Sequence, residues 1–359
     1  MQNAEPPPNF SDSTYATAAP NTSETTAIPQ SSTFTVHFID VGQGDSALIL
    51  CDGKSMLIDG GKPKASDIIY TYLKKQNITC LDYIIGTHPD DDHIGGLSAP
   101  LSNITVKNVY APDIEADIKS YKSFKQETEE QGLSIQHPVC GDSFQFGSST
   151  VDFFGPVTVS VSDKNNSSIV IKITYGETSF LFTGDAEREE EQQILDKGYD
   201  LSATVFKVGH HGSRSSTTYP FLREIMPEYA VISVGKDNAY GHPAEEVLSR
   251  LGDADVKVYR TDMQGDIIAK SDGKNVTITP SKNTAADTLS QKRFIAAPKP
   301  QQTEKTALTE INGYIGNSNS KKFHLPSCRT LPAERNQVYL NTRDEAIQKG
   351  YAPCQNCNP

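Results

Sequence analysis

The chain contains no tryptophan and no run of 18 apolar residues, so nothing in it reads as a membrane-spanning helix. It also lacks a basic surplus. Its 33 Lys and Arg stand against 45 Asp and Glu, a net charge of -12 with a pI near 5.2. That excludes a global positive field of the kind that draws in nucleic acid. A polyanionic substrate would have to be attracted locally, by metal ions and a few Lys or Arg. No apolar signal core follows Met1. Residues 1–33 are almost devoid of large apolar side chains and rich in Pro, Ser, Thr, Ala and Asn, the composition of a disordered linker. Such stalks often follow an export signal or a lipid-anchor cysteine. The expectation is therefore a removed segment ahead of Met1 and an extracellular or envelope-attached protein; failing that, a cytoplasmic one. With 359 residues there is room for two domains, or one large domain with extensions.

What the chain does have is concentrated in residues 86–96, Gly-Thr-His-Pro-Asp-Asp-Asp-His-Ile-Gly-Gly. They follow an apolar run, Leu81 to Ile85, that reads as a buried strand. Two imidazoles and three carboxylates within six residues would repel one another unless a cation neutralised them. The plain alternative is a solvated acidic loop. It fits poorly, because Pro89, Gly95 and Gly96 restrain the backbone and histidines flank the acids.

Around this turn the chain alternates strands and helices. Phe34–Asp40, Ala47–Cys51 and Ser55–Ile58 read as strands, the last two joined by the hairpin signal Asp52-Gly53. Ser66 or Asp67 is expected to cap a helix over 68–76, and Ile94–Leu101 a further short helix. A strand at Val106–Tyr110 and a helix over 117–131 complete a first half. The second half repeats the plan. A β-like stretch at Phe144–Phe154 precedes a hairpin around Gly176-Glu177. Gly184-Asp185 and a charged helix over 187–197 follow. A strand then ends at Gly209-His210-His211-Gly212-Ser213, and Tyr229–Val234, a loop to Pro243, a helix over 244–251 and strands to about Ile278 finish the unit. Periodicity alone supports α/β or α+β. Residues 281–310 are polar and read as a linker, and 311–359 as a separate module.

That last module holds His324 and Cys328, then Cys354 and Cys357. Three thiols and one imidazole suit a closed tetrahedral zinc site. A disulfide is the rival in an oxidising setting, but it would strand one thiol. About 49 residues are too few to be stable on a core alone, and zinc would supply on the order of 10 kcal/mol of folding free energy. Cys51, Cys80 and Cys140 read as small core residues. His37, within a strand, and His137, before Pro138, read as structural.

His88-Pro89-Asp90-Asp91-Asp92-His93 resembles the metal motif of the metallo-β-lactamase superfamily, with Asp90 where a second His is usual. Together with Val41-Gly42-Gln43-Gly44-Asp45, Phe180 to Asp185, Lys207 to Ser213 and Tyr240-Gly241-His242-Pro243, it is similar to the soluble nuclease-like domain of ComEC-type competence DNA-uptake proteins. The resemblance spans about residues 34–280. It implies an α+β fold, the αβ/βα four-layer sandwich, and a two-metal site. On that basis His88 and Asp90 would hold one divalent ion, Asp92 and His93 the second, and Asp185 would bridge them. His211 or His242 would complete the second ion's ligand set, and His210, or whichever His is not a ligand, would protonate the leaving oxygen. Asp92, His210, His211 and His242 are thus the candidate catalytic residues. Asp45 and Asp59 are expected to orient ligand histidines. Ser213, Arg214, Ser215 and Ser216 suit either phosphate contact or helix capping. A further His expected between the two motifs is missing; Asn165-Asn166-Ser167-Ser168 stands there. Two ions would clamp both oxygens of a phosphodiester, with a metal-bound hydroxide as nucleophile. Asp90 moves the preference from zinc towards harder ions such as manganese.

Tyr314 to Asn317, Ser320 to His324, and Glu345 to Cys354 are similar to the metal-binding domain of the Ada DNA-repair protein, with His324 in place of one of four cysteines. This argues for one structural zinc and against a methyl-acceptor thiol. Lys321, Lys322, Arg329, Arg335 and Arg343 make this tail locally basic. The function expected is that of a metal-dependent phosphodiesterase, a DNase with DNA as substrate, acting as a monomer. Two alternatives stay open. One is a hydrolase of a wall-polymer phosphoester, a lactone or a β-lactam, since fold does not choose substrate. The other is a non-catalytic DNA-binding protein.

Overall fold

The computed structural model describes residues 32–290 and 313–359, apart from 329, 333–335, 355 and 358. The linker expectations for 1–31 and 291–310, and Arg329 and Arg335 of the basic tail, lie outside the described residues.

The first sheet begins with an antiparallel trio, β1 (Phe34–Phe38), β2 (Ala47–Cys51) and β3 (Lys54–Ile58). It continues in parallel through β4 (Cys80–Ile85), β5 (Thr105–Tyr110) and β6 (Ile135–Gln136). The connections carry α1 (Ser66–Lys75), α2 (Asp91–Ile94), α3 (Ser98–Asn103) and α4 (Lys119–Glu130). The second sheet is an antiparallel meander, β7 (Ser143–Phe146), β8 (Ser149–Gly155), β9 (Val170–Tyr175) and β10 (Thr178–Phe182). It is extended in parallel by β11 (Val205–Lys207), β12 (Tyr229–Ile232) and β13 (Lys257–Arg260). Here the helices are α5 (Arg188–Lys197), α6 (Tyr219–Ile225), α7 (Glu245–Asp253) and α8 (Thr261–Gln264).

Strand alternation builds the layers. In β1, Phe34, Val36 and Phe38 meet Phe180 and Phe182 of β10 in a core between the sheets. Leu48 and Leu57 face the other way, onto α1 and α3, and Leu181 and Phe206 face α5, α6 and α7. The order is helix, sheet, sheet, helix. None of the helices among the described residues is long and apolar enough to cross a membrane.

Four expectations are corrected. The strands after residue 265, read as the end of the second half, form β14 (Ile267–Ser271) and β15 (Val276–Pro280) and return to the first sheet, where β14 pairs with β1. This covers the backbone edge that β1 would otherwise expose and puts Ile267 and Ala269 into the inter-sheet core. Neither Ser66 nor Asp67 caps α1. The N-cap is Ala65, and Ser66 Oγ instead donates to Gly96 O and accepts from Ala99 N, stitching α1 to α3. The helix expected over 94–101 is broken at Gly95-Gly96, because the backbone there lies against the 60–63 turn. A Cβ on Gly96 would sit 1.9 Å from Gly60 O. Finally, residues 281–290 pack on the second sheet instead of starting a free linker. Thr288 Oγ1 donates to Val258 O at 2.7 Å, and Leu289 lies against the core under α7.

The C-terminal residues form a small sheet of order β18-β16-β17-β19, from β16 (Tyr314–Asn317), β17 (Lys322–His324), β18 (Gln337–Leu340) and β19 (Ala352–Pro353), beside α9 (Arg343–Gln348). Its core is Phe323, Leu340, Ala346 and Tyr351. That is too little to hold the module alone, as expected for a metal-stabilised unit.

Candidate metal centre

Parallel pairing aligns the C-terminal ends of β3 and β4 in one sheet and of β10, β11 and β12 in the other. Polar turns at those ends meet at one edge, the usual place for a site in such sheets. The β4 turn supplies His88 to His93, the β10 turn Asp185, the β11 turn His210 and His211, and the loop after β12 His242.

Asp185 is the hub. Its carboxylate oxygens lie 3.2 Å from His93 Nε2, 3.6 Å from Nε2 of both His210 and His211, and 4.0 Å from His88 Nε2. Asp92 Oδ2 is 3.7 Å from His211 Nε2, and Asp90 Oδ2 is 3.8 Å from His88 Nε2. His242 stands one ring further out, its centroid 5.4 Å from that of His210 and 6.4 Å from that of His211. Between the two candidates for the last ligand, the geometry thus brings His211 into the cluster with His93 and Asp185 and leaves His242 at its margin.

The outward ring nitrogens of His88, His93 and His211 are each engaged. His93 Nδ1–H donates to Asp59 at 2.9 Å, and Asp59 also accepts from Thr87 N and Oγ1. His211 Nδ1–H donates to Ser233 O at 3.0 Å, with the Asp45 carboxylate 3.0 Å from the same nitrogen. His88 Nδ1 lies near Thr87 Oγ1 and Ser168 Oγ. These bonds turn the Nε2 atoms of His88, His93 and His211 inward, the usual way a carboxylate or carbonyl orients a metal-binding imidazole. Those three Nε2 atoms and Asp185 Oδ1 are buried without a hydrogen-bond partner. Buried polar atoms are rarely left so. Converging nitrogen lone pairs and carboxylate oxygens fit a divalent metal centre.

Charge tells the same story. Burial would raise the Asp185 carboxyl, but His93, His211 and His88 hold it well below the usual carboxylate range. Burial would lower His93, yet Asp185 and Asp59 push it well above an ordinary imidazole. Burial and His93 take His88 down to about 3. The arrangement favours a positive charge at its middle.

Several participants carried no role in the sequence reading. Lys207, 4% exposed, ends β11 and pairs with Asp45 at 2.8 Å, which keeps Asp45 ionised beside His211. Glu187 Oε1 lies 2.8 Å from His210 Nδ1. Lys164, just ahead of the Asn165–Ser168 stretch, sets its ammonium on Asp90 Oδ1. Ser168 Oγ accepts from Asp185 N at 3.1 Å. Lys207 and Ser168 lie inside quoted stretches without a role of their own, and Glu187 and Lys164 only near them. Backbone strain was invisible too. His210 and His211 both take left-handed φ, 48° and 51°. Each costs of order 1–3 kcal/mol and is held by its surroundings: His210 N donates to Gly184 O, and Ala244 N to Gly212 O. His37 and His137 lie away from the centre, bonded to Tyr72 OH and Ala111 O.

In the C-terminal module one ligand atom each of His324, Cys328, Cys354 and Cys357 fall within 4.8 Å of one another. All six cysteines are free thiols, so the disulfide alternative is not realised. His324 Nε2 is buried without a partner, and Leu325 N donates to Cys357 Sγ. The set fits a closed zinc site. The module also touches the larger domain. Cys354 Sγ is 4.0 Å from Asp253 Oδ1 at the end of α7, and Thr330 lies against Gly252.

The comparisons agree with this geometry. The family model described as the metallo-beta-lactamase superfamily matches residues 39–236, and that described as the metal binding domain of Ada matches 305–359. ComE operon protein 3 of Bacillus subtilis is 33% identical over 250 residues, covering 65% of this chain and 32% of that protein. Competence protein ComA of Neisseria gonorrhoeae is 32% identical over 228 residues, covering 63% and 30%. The chain thus spans about a third of the length of these relatives. Among solved structures, the metallo-beta-lactamase fold protein YhfI from Bacillus subtilis aligns over 67% of this chain and 100% of its own, with a TM-score of 0.47 and 14% identity. With its family motifs on converging turns of a four-layer sandwich, the chain belongs to the metallo-β-lactamase superfamily.

Proposed function

We propose that the protein is a metal-dependent phosphodiesterase that cleaves DNA. The observation that carries this reading is the convergence of inward, unpartnered His88, His93 and His211 nitrogens on Asp185 at an accessible edge. His88 and Asp90 would hold one ion and Asp92, His93 and His211 the other, with Asp185 between them. Such ions supply Lewis acidity and a nucleophile at neutral pH. Three carboxylates among the donors favour a hard ion, manganese before zinc, while the thiol-rich C-terminal tetrad favours zinc.

The remaining groups bind substrate and move protons. His210 is partly open to solvent and held by Glu187, so it is placed to protonate a leaving oxygen. A cavity of about 870 Å³ has His242 in its wall, with Lys236, Arg260 and Lys282 around it. Arg260 is paired with Asp262 and Lys282 with Asp40, so the bound metal ions would supply the local attraction for a phosphodiester that the net charge of -12 does not. The printed name of one relative, a competence protein, supports DNA as substrate. The test is cleavage of plasmid and oligonucleotide by EDTA-stripped protein resupplied with single metals. Manganese is expected to restore it. No cleavage with any divalent ion would move the reading to another phosphoester or a lactone.

A further inference from the structure

We propose that Tyr240 is a stacking platform for an unpaired nucleobase beside the scissile phosphate, which makes single-stranded DNA the substrate class. The inference rests on the nuclease reading above. Tyr240 is 62% exposed. Among the described residues one other aromatic ring is as open, Tyr339, and it lies in the C-terminal module. A single exposed apolar side chain needs no explanation by itself. Three features set this one apart.

The first is its place. The Tyr240 ring stacks on His242 with centroids 5.7 Å apart and planes at 25°, and His242 in turn lies 5.4 Å from His210. The ring is therefore two aromatic contacts from His210, which itself faces Asp185, on the open side of the centre. The second is its bracing. Asn238 Oδ1 accepts from Tyr240 N and His242 N, and its amide donates to Gly235 O and His242 O. One side chain thus sets the positions of both rings, and a platform held in advance spares the ordering cost on binding. The third is the cation beside it. Lys62 Nζ, from the first half of the fold, lies over the ring, 5.7 Å from its centroid, a cation–π contact that a stacking base would displace towards its own phosphate. A π-face with an adjacent ammonium matches what a nucleotide offers, a base and a phosphate. In duplex DNA both faces of a base are covered by its neighbours. A base that stacks on protein must first be unpaired or at a frayed end.

The full-length protein tests this in two ways. Tyr240→Ala is expected to raise KM for a single-stranded oligonucleotide roughly tenfold with a smaller change in kcat, and Tyr240→Phe to keep the wild-type KM. The chain has no tryptophan, so Tyr240→Trp in an Asp185→Asn background installs a lone indole. Single-stranded oligo-dT is expected to quench its emission and a blunt duplex of equal length is not. An unchanged KM in Tyr240→Ala, or an indole indifferent to single strands, overturns the inference while DNA cleavage by the wild type stands. A wild-type protein that cuts no oligonucleotide under any metal overturns the nuclease reading and this inference together, before any variant is made.

Discussion

Glu187 and His210 form a dyad: Glu187 Oε1 sits 2.8 Å from His210 Nδ1, while the other ring nitrogen faces Asp185 at 3.6 Å. Burial would lower the imidazole, but the neighbouring Glu187 and Asp185 carboxylates raise it above its ordinary value. On the proposed reading His210 is the proton carrier pointing at the centre. His210→Ala is expected to slow DNA cleavage about 100-fold, within the range for general acid catalysis. On bis(p-nitrophenyl) phosphate the loss should be far smaller, since nitrophenolate leaves without a proton. Equal losses on both substrates would remove the donor role.

Asp185 touches every inward imidazole, so Asp185→Asn is expected to abolish hydrolysis and lower bound metal while leaving the circular dichroism spectrum unchanged. Full activity in this variant would remove the two-metal mechanism.

Lys207 and Asp45 are a buried pair at 2.8 Å. Lys207→Met strands the Asp45 charge and is expected to destabilise the fold by about 3–5 kcal/mol, read from urea unfolding. Adding Asp45→Asn should return most of that loss. A double variant no better than the single one would mean that Lys207 acts through its bond to Val208 O instead.

Glu190 is fully buried in the first turn of α5, and burial, with Glu191 and Asp163 adding to it, raises its pKa well above 4.5. Its folded pKa stands above its unfolded one, so between the two the native state holds the extra proton. This group's contribution to stability is complete below about pH 4.5 and declines as pH rises towards the folded value. Glu190→Gln stays neutral. It should melt about 3–6 °C above wild type at pH 8 and level with it at pH 4, and a gap of the same size at both values would exclude the titration.

The C-terminal tetrad offers a separate check. Cys328→Ser is expected to lower zinc content by about one equivalent per chain. Proteolysis should then cut within 313–359 and spare the larger domain. Unchanged zinc content would show that the tetrad is not the zinc site.

The sequence by itself determined what is local. Five potential ligands in six residues announce a cation site at His88–His93, because ligand spacing within one turn is set by the chain. Strand alternation in β1 and β10 announced the sheets for the same reason, as did the His324 to Cys357 spacing for a zinc module. Only the tertiary structure decided what depends on distant pairs. The nitrogen each histidine turns inward depends on Asp59 and Ser233, 34 and 22 positions from the rings they hold. The placement of His211 in the cluster, with His242 at its margin, rests on a left-handed turn that no propensity predicts. β14 returned to β1 because an edge and an apolar core far upstream, beginning at Phe34, needed covering. Lys164 on Asp90, Lys207 on Asp45 and Tyr240 on His242 are likewise invisible before folding. A lone lysine or tyrosine has no periodicity, and its role is set by what the packed sheets bring beside it.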